Sequence, residues 1–253
     1  MTDMKLIARR ALAMLDLTNL NDDCDEAAIE ALAARACTDH GHVAALCVWP
    51  AFVGQAHALV GHRGVKIATV VNFPGGEDPV GEVTDLTKKA VGDGADEIDM
   101  VIPYRSMMEG RDEVVHTRIK RVKAAAGGAT VKAILETGVL GDPDLIRKAA
   151  DMAIEAGADF IKTSTGKVPV NATLSAARIM LTAIKESGAS VGFKPAGGVK
   201  STEQAGHYLD LADEIMGEGW ATPDTFRFGA SGVLGDLLAT LNGDDKPTSG
   251  DGY

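Results

Sequence analysis

Four charged residues fall inside segments whose composition otherwise predicts buried β-strands. Asp16 lies in MLDLT, Asp99 in DEIDMVI, Lys162 in ADFIKTS and Lys194 in SVGFKP. A charge in a strand that is buried on both faces is costly unless it is paired, hydrogen-bonded or used in chemistry. A lysine amine is nucleophilic only when neutral, and burial beside a second cation lowers its pKa toward neutrality. Two interior lysines therefore indicate an enzyme that forms an imine with a carbonyl substrate.

The alternation of side chains along a strand predicts which of these charges face the interior. It turns Glu97 and Asp99 inward in DEIDMVI and Lys162 inward in ADFIKTS. Lys132 and Glu136 share one face of a further segment, TVKAILE. Alternation does not decide which of the two candidate lysines is the nucleophile. An internal ion-pair network without a catalytic role is the alternative for any single one of these charges.

Eight short apolar segments recur along the chain, separated by helix-like segments rich in Ala, Leu, Lys and Glu. They span residues 14–18, 44–49, 65–72, 96–102, 130–136, 158–164, 190–195 and 226–231. Eight strands that alternate with helices fit a closed parallel barrel better than an open doubly wound sheet. We predict the α/β class, as a single (β/α)8 TIM barrel over residues 1–242, with helices over 25–41 and 143–158. Residues 243–253 are polar and predict a flexible tail that ends in Tyr253.

Such barrels carry their active sites at the carboxyl ends of the strands, where Asp16, Asp99, Lys162 and Lys194 would meet. Two glycine-rich segments follow the last two strands, PAGGVK (195–200) and GASGVL (229–234). Backbone N–H groups at these positions commonly bind a phosphate, and Lys167 in TSTGK would add a positive charge. The alternative is that the glycines only form tight turns.

The composition disfavours several functional classes. The chain has 253 residues and a formal net charge of -11, which argues against nucleic acid but allows a few lysines to bind an anion in a pocket. No GxGxxG follows the first strand and no GxxxxGK[ST] occurs, so we expect no nucleotide cofactor. His40 and His42 form an HxH pattern that precedes the second strand, at the end of the barrel away from the chemistry. We therefore predict no metal site.

The cysteines and the start of the sequence bear on location. Cys24, Cys37 and Cys47 lack paired spacing, which predicts neither disulfides nor a zinc site. The start has no signal-peptide pattern, and together these features favour a cytoplasmic protein. Residues 40–62 contain no Lys, Arg, Asp or Glu, but Pro50 interrupts them, so a strand, a turn and a helix are expected rather than a membrane span.

Along nearly its whole length the sequence resembles the deoxyribose-phosphate aldolase family of class I aldolases. The motifs that carry the resemblance are LDLTNLND (15–22), ALCVWPAFV (45–53), VVNFPGG (70–76), EIDMVIPY (97–104), ILETGVL (134–140), ADFIKTSTGKV (158–168), GFKPAGGVK (192–200) and FRFGASGVL (226–234). Their order and spacing together make the match specific.

The resemblance implies roles for individual residues. The family's imine-forming lysine falls on Lys162, its second lysine on Lys194, which would lower the pKa of Lys162, and its proton-relay carboxylate on Asp99. Asp16 and Cys47 would line the pocket. The residues that would bind the phosphate are Gly166, Lys167, Gly197, Gly198 and Ser231. Tyr253 matches a terminal tyrosine that reaches the active site in some members, where it would assist proton transfer at the α-carbon of the imine.

The implied reaction is the reversible cleavage of 2-deoxy-D-ribose 5-phosphate to D-glyceraldehyde 3-phosphate and acetaldehyde, a step of deoxyribose phosphate catabolism. No cofactor is implied, because the imine nitrogen serves as the electron sink. The implied partners are small phosphorylated sugars and aldehydes, with no nucleic acid and no membrane, and the chain would form a homodimer. Two alternatives stay open: another lysine-dependent barrel aldolase or transaldolase, and a barrel that binds a phosphorylated metabolite without turnover.

One position departs from the family pattern. Similar members often carry two serines where this chain has Ser231 and Gly232. The missing hydroxyl predicts weaker selectivity for phosphorylated substrates and wider acceptance of unphosphorylated aldehydes.

Overall fold

The computed structural model describes residues 3–244, which contain one parallel barrel surrounded by helices. The barrel strands are β1 (Leu15–Asn19), β2 (Ala45–Val48), β3 (Lys66–Val71), β4 (Glu97–Val101), β5 (Thr130–Ile134), β6 (Phe160–Lys162), β7 (Gly192–Lys194) and β8 (Phe228–Ala230). The helices are α1 (Met4–Ala13), α2 (Glu26–Arg35), α3 (Val53–Val60), α4 (Val80–Gly92), α5 (Tyr104–Met108), α6 (Asp112–Ala126), α7 (Thr137–Leu140), α8 (Pro143–Glu155), α9 (Leu174–Ser187), α10 (Thr202–Met216) and α11 (Val233–Asn242). None of the helices in this part of the chain combines the length and hydropathy needed to cross a membrane.

The sheet closes on itself. Strands β1 to β7 pair in sequence order, and β8 pairs with β1, where Leu15 lies opposite Phe228. Two parallel bridges join the β7 and β8 regions, Phe193 to Phe226 and Ala196 to Gly229. The prediction of a single (β/α)8 TIM barrel is therefore confirmed.

Side-chain caps fix the starts of several helices. Asp25 accepts a hydrogen bond from the Ala28 amide at 2.8 Å at the start of α2, and Asp142 caps α8 with Pro143 in its first turn. Thr173 and Ser201 cap α9 and α10 in the same way. A cap pairs an amide that has no partner within the helix, so these polar residues define where each βα connection ends.

The predicted helix over 25–41 was too long. Helix α2 ends at Arg35, and Cys37–Thr38 then pairs with Gly41–His42 as a two-stranded antiparallel hairpin. The Thr38 hydroxyl donates to the Gly41 carbonyl at 2.8 Å, and Gly41 has φ 124°, which ends any helical path.

Two further predictions differ from the structure at helix and strand ends. Strand β5 stops at Ile134, and Glu136 adopts φ 57° as the residue that precedes α7. Glu136 therefore does not share a strand face with Lys132. Helix α8 ends at Glu155 instead of continuing to 158, because Gly157 takes φ 88°. The amino-terminal helix α1 was not predicted.

The barrel interior is divided between small apolar and long charged side chains. Strands β2 and β3 contribute Ala45, Cys47, Ala68 and Val70, which form a small buried cluster with Leu20. The charged side chains come from β1, from β4 to β7 and from Arg227, which directly precedes β8. Because the side chains on β2 and β3 are small, the barrel interior has room for the long lysine and arginine side chains.

Gly192 shows how tightly this interior is packed. A Cβ added to Gly192 would lie 2.4 Å from the Phe160 ring, which cannot move freely because Lys132 and Arg227 lie over it at 5.9 Å and 5.8 Å. We expect Gly192→Ala to lower the free energy of unfolding by about 1–3 kcal/mol. Urea unfolding followed by circular dichroism measures the difference.

Gly81→Ala is the matched control, because a Cβ at Gly81 in α4 meets no atom within 4 Å. We expect it to leave stability unchanged or raise it by about 0.5–1 kcal/mol. Equal unfolding midpoints for Gly192→Ala and Gly81→Ala would contradict the packing described here.

Candidate active site

Strand register brings the charged residues into one cluster. Lys162 of β6 lies opposite Lys194 of β7, and Asp99 of β4 lies opposite Lys132 of β5. Asp16 of β1 completes the group. Lys162 is 3% exposed, whereas the other four are fully buried. The inward direction predicted for Asp99 and Lys162 agrees with these positions.

Asp99 joins the two candidate catalytic lysines. Its Oδ2 atom accepts a hydrogen bond from Lys162 Nζ at 2.7 Å and another from Lys194 Nζ at 2.7 Å. Lys194 also donates to Asp16. The Lys132 ammonium lies 3.2 Å from Asp99 Oδ1 without donating a hydrogen bond to it, and this buried oxygen has no donor among the described residues. Asp99 therefore retains an oxygen that can accept a proton or a hydrogen bond.

A second set of charges lies beneath the first. Lys132 donates to Glu97 and lies 3.3 Å from Asp16. The Arg227 guanidinium donates to Asp16 at 2.7 Å and to Glu97 at 2.7 Å and 3.1 Å. Seven side chains thus form one connected ion-pair network inside the barrel, four basic (Lys132, Lys162, Lys194 and Arg227) and three acidic (Asp16, Glu97 and Asp99).

The network distinguishes Lys162 from the other lysines. Burial, reinforced by the Lys194 cation, lowers the pKa of Lys162, although Asp99 opposes this shift. Burial alone would also lower the pKa of Lys194, but Asp16 and Asp99 raise it above its usual value. The same two carboxylates raise the pKa of Lys132. Lys162 has one carboxylate partner and the others have more, so Lys162 is the amine that most readily becomes neutral.

The carboxylates stay ionised for the complementary reason. Burial would raise the pKa of Asp99, but Lys132, Lys162 and Lys194 hold it well below its usual range. The pKa of Asp16 is lowered by Lys132, Lys194 and Arg227 against the same effect of burial. Both carboxylates are therefore negative at any working pH.

One pocket opens at the carboxyl ends of the strands and has a volume of about 680 Å³. Lys162 lines it, whereas Asp16, Cys47, Asp99 and Lys194 lie deeper. Cys47 is fully buried, and burial raises the pKa of its thiol. A substrate in the pocket would thus meet Lys162 first, with the other polar groups behind it.

The far end of the pocket is formed by the predicted phosphate segments. Its walls include Gly166, Lys167, Gly197, Gly198 and Ser231. The amino terminus of α11 follows Ser231 directly, with Gly232 as its cap residue. Unpaired amides at a helix start and a nearby lysine together favour an anion at this end.

Lys167 and Gly197 are held by specific neighbours. Lys167 Nζ lies 3.1 Å from Asp22 Oδ1 and 6.0 Å from the centre of the Trp49 ring. The Gly197 amide already donates to the Gly229 carbonyl at 3.1 Å, and a Cβ at Gly197 would lie 2.8 Å from Asn171. Gly197 thus provides space and a sharp turn, with φ 76°, rather than a free amide.

Gly229 makes room for one of the lysines. A Cβ there would lie 3.0 Å from Lys194 Cε and 2.9 Å from Ala196 Cβ. The Lys194 side chain therefore passes over the backbone of β8 at Gly229. A larger residue at position 229 would obstruct that side chain.

Glu136 connects the barrel to the loop that carries Lys167. Its carboxylate accepts from the Thr165 hydroxyl at 2.6 Å and from the Thr165 amide at 3.2 Å, and Thr165 Oγ1 accepts from the Lys167 amide at 3.0 Å. Burial raises the pKa of Glu136. The left-handed backbone at Glu136 is a strained conformation, and it turns the carboxylate toward this loop.

Reasoning from the sequence missed three members of the network as site residues. Glu97 was predicted to face inward and Lys132 was placed on a strand face, but neither was given a role, and Arg227 was not considered. Alternation along FRFG would have turned Arg227 inward next to Asp16. Tyr253 lies outside the described residues.

Comparison with known proteins agrees with this geometry. The profile of DeoC/LacD family aldolases matches residues 10–231. A deoxyribose-phosphate aldolase from Agrobacterium fabrum (strain C58) is 54% identical over 248 residues, which cover 97% of this chain and 96% of the relative.

Solved structures give the same result. A provisionally named deoxyribose-phosphate aldolase from Toxoplasma gondii ME49 superposes with a TM-score of 0.88 at 28% identity, covering 96% of this chain and 98% of that one. A tetrameric deoxyribose phosphate aldolase from Aeropyrum pernix has a TM-score of 0.76 at 24% identity, with 94% and 96% covered, and at this identity supports the fold alone.

Proposed function

The chain belongs to the DeoC/LacD aldolase family, and from that premise we propose that it cleaves 2-deoxy-D-ribose 5-phosphate reversibly to D-glyceraldehyde 3-phosphate and acetaldehyde. It is an aldolase, a carbon-carbon lyase, and the family resemblance read from its motifs is confirmed. The observation that carries the imine mechanism is that Lys162 both lines the pocket and has a lowered pKa.

In the cleavage direction, the neutral Lys162 amine attacks the C1 aldehyde and loses water to form a protonated imine. The imine nitrogen then withdraws the electron pair of the C2–C3 bond. As this bond breaks, Asp99 accepts the C3 hydroxyl proton through a water molecule, and C3 becomes the aldehyde carbon of glyceraldehyde 3-phosphate. Asp99 Oδ1, which accepts no hydrogen bond from the described residues, supports this role.

An enamine remains on Lys162 after the first product forms. Protonation of its terminal carbon regenerates an imine, and hydrolysis releases acetaldehyde and the lysine. Tyr253 is the proton donor we propose from the family resemblance. The imine nitrogen accepts the electrons throughout, so no step in this sequence requires a metal or a nucleotide.

Lys194 keeps a permanent positive charge beside Lys162, and Asp16 keeps Lys194 in place. The phosphate group of the substrate would lie at the far end of the pocket, against Gly166, Gly198, Ser231 and Lys167. Cys47 and the small residues of β2 and β3 form the apolar wall behind the reacting carbons.

Trapping tests the proposed function directly. The protein is mixed with acetaldehyde or deoxyribose 5-phosphate, reduced with borohydride, weighed by intact-mass spectrometry and mapped by peptide digestion. We expect one acetaldehyde-derived adduct on Lys162. An adduct derived only from a ketose donor would instead support a transaldolase, and no adduct on any lysine would overturn the imine mechanism.

The site also predicts how Gly232 affects selectivity. Its backbone, with φ -70° and ψ -25°, accommodates a serine without strain. A hydroxyl there would donate to a bound phosphate, so we expect Gly232→Ser to raise the ratio of kcat/KM for deoxyribose 5-phosphate over deoxyribose by about tenfold. Steady-state kinetics with both substrates measures this ratio.

Gly235→Ser places the same hydroxyl further along α11, where a Cβ at Gly235 meets no atom within 4 Å. We expect this control to leave the ratio unchanged. The selectivity hypothesis fails if Gly232→Ser also leaves it unchanged.

Assembly and location complete the proposal. The family resemblance supports a homodimer, which sedimentation velocity tests. Cys24, Cys37 and Cys47 are all free thiols, which supports a reducing cytoplasmic environment.

A further inference from the structure

The lower part of the ion-pair network does not reach the pocket. Glu97, Lys132 and Arg227 are absent from the pocket walls and are 3%, 0% and 5% exposed. Their charges nevertheless contact the residues that surround the nucleophile. Asp16 links the two levels, because its Oδ1 accepts from Arg227 while its Oδ2 accepts from Lys194.

Stability alone does not account for these buried charges. Removing charges from water is costly, and replacing a buried ion network by apolar side chains of similar volume is often neutral or stabilising. The Phe160 ring already lies beside Lys132 and Arg227, so apolar packing at this level is sterically available.

We propose that Arg227 and Glu97 are positioning residues for the imine chemistry, which act through Asp16 and Lys132 to set the electrostatic potential at the Lys162 amine. The inference rests on the proposed function, because it assumes that Lys162 forms the imine. Arg227 contributes a positive charge and orients Asp16. Glu97 contributes a negative charge and orients Lys132, which in turn lies 3.2 Å from Asp99.

The other titratable groups near Lys162 come from several strands of the barrel and are unchanged in the variants that test the inference. The titratable groups that face Lys162 are Asp99 of β4, Lys194 of β7, Cys47 of β2 and Glu136 after β5. Asp16 of β1 contacts Lys194 rather than Lys162 itself. Strand β3 contributes the apolar residues Ala68 and Val70 to the interior.

Two single variants should shift the reactivity of Lys162 in opposite directions. Glu97→Gln removes a negative charge, so the Lys162 ammonium becomes less stable and the amine reacts at lower pH. Arg227→Met removes a positive charge, so the ammonium becomes more stable and the amine reacts only at higher pH. Inward residues two apart on a strand are separated by about 6.6 Å, and a charge at about 10 Å shifts the midpoint by about one pH unit.

The measurement is the rate of acetaldehyde trapping on Lys162 by cyanoborohydride as a function of pH, read by intact mass. We expect the midpoint to fall for Glu97→Gln, to rise for Arg227→Met and to return to the wild-type value in the Glu97→Gln/Arg227→Met double variant. Arg227→Lys keeps the charge and should keep the wild-type midpoint. A merely structural role would lower the trapped fraction without moving the midpoint.

Equal midpoints in all folded variants, or shifts in the same direction for both single variants, would overturn the inference. Thermal unfolding identifies variants that fail to fold. If Arg227→Met is among them, the comparison of Glu97→Gln with wild type decides the matter. Failure of the proposed function is distinguishable, because wild type itself would then give no adduct on Lys162.

Discussion

Lys162→Met is expected to abolish the borohydride-trapped adduct and to lower kcat/KM for deoxyribose 5-phosphate by roughly 10⁴-fold or more. Methionine fills a similar volume but has no nucleophilic nitrogen, so neither the imine nor its electron sink can form. Lys194 cannot replace it, because Lys194 lies behind the pocket and keeps its proton through Asp16 and Asp99. Coupled assay of glyceraldehyde 3-phosphate formation measures the loss.

Lys167→Met provides the matched control, since it removes a lysine from the same pocket without touching the ion-pair network. We expect the adduct on Lys162 to persist and KM for the phosphorylated substrate to rise by about tenfold, because one phosphate contact is lost. An adduct that disappears in Lys167→Met but remains in Lys162→Met would reverse the assignment.

Asp99→Asn is expected to lower kcat by about 10³-fold while the amide keeps the shape of the side chain. The amide cannot accept the C3 hydroxyl proton, and that proton transfer is worth about 10²–10⁴-fold. Trapping of acetaldehyde on Lys162 should persist, because imine formation does not require the relay. We therefore expect kcat to fall in this variant while the acetaldehyde adduct on Lys162 still forms.

The same substitution should also lower the free energy of unfolding by about 3–5 kcal/mol, since it leaves three buried cations short of a carboxylate. The pKa of Asp99 is depressed in the folded state, so its contribution is present above the unfolded pKa and is lost as the pH falls through the folded pKa. The stability difference from wild type should thus be complete at neutral pH and shrink in strong acid.

Asp96→Asn is the control on the same segment of the chain. Asp96 precedes β4 outside the barrel, where it accepts from the Ile67 amide at 2.9 Å. We expect wild-type kcat. A kcat for Asp99→Asn within about threefold of this control would remove Asp99 from the relay.

The architecture and the direction of Asp99 could be predicted from sequence because both follow from simple periodicities. Eight apolar segments alternating with helices restrict the topology to very few choices. Within a strand, the two-residue repeat turned Asp99 and Lys162 to the interior before any contact was known. Parallel strands then bring their carboxyl ends to the same edge, so the convergence of these residues needed no further information.

The choice of nucleophile could not be made in this way. Lys162 and Lys194 occupy equivalent places on adjacent strands, and they differ in how many carboxylates each contacts. That number depends on Asp16, which is distant in sequence. The family resemblance supplied the choice, and the pKa shifts give it a physical reason. The turn at Glu136 was missed because a single residue with positive φ overrides the surrounding pattern. The end of α2 was missed because Ala36 keeps helical φ and ψ, and the helix gives way to the pairing of Cys37–Thr38 with Gly41–His42.

The burial of Lys162 inside the barrel has a consequence for proton binding. An unfolded lysine keeps its proton up to about pH 10.4, whereas folding lowers the pKa of Lys162. Between those two pKa values the unfolded chain binds more protons than the folded one, so folding expels protons, and the free energy of unfolding rises with pH across that range. At lower pH the full loss of stability is present, and it is localised on Lys162, the proposed nucleophile. A screen that rewards thermal stability alone would therefore select against the amine on which the proposed turnover depends.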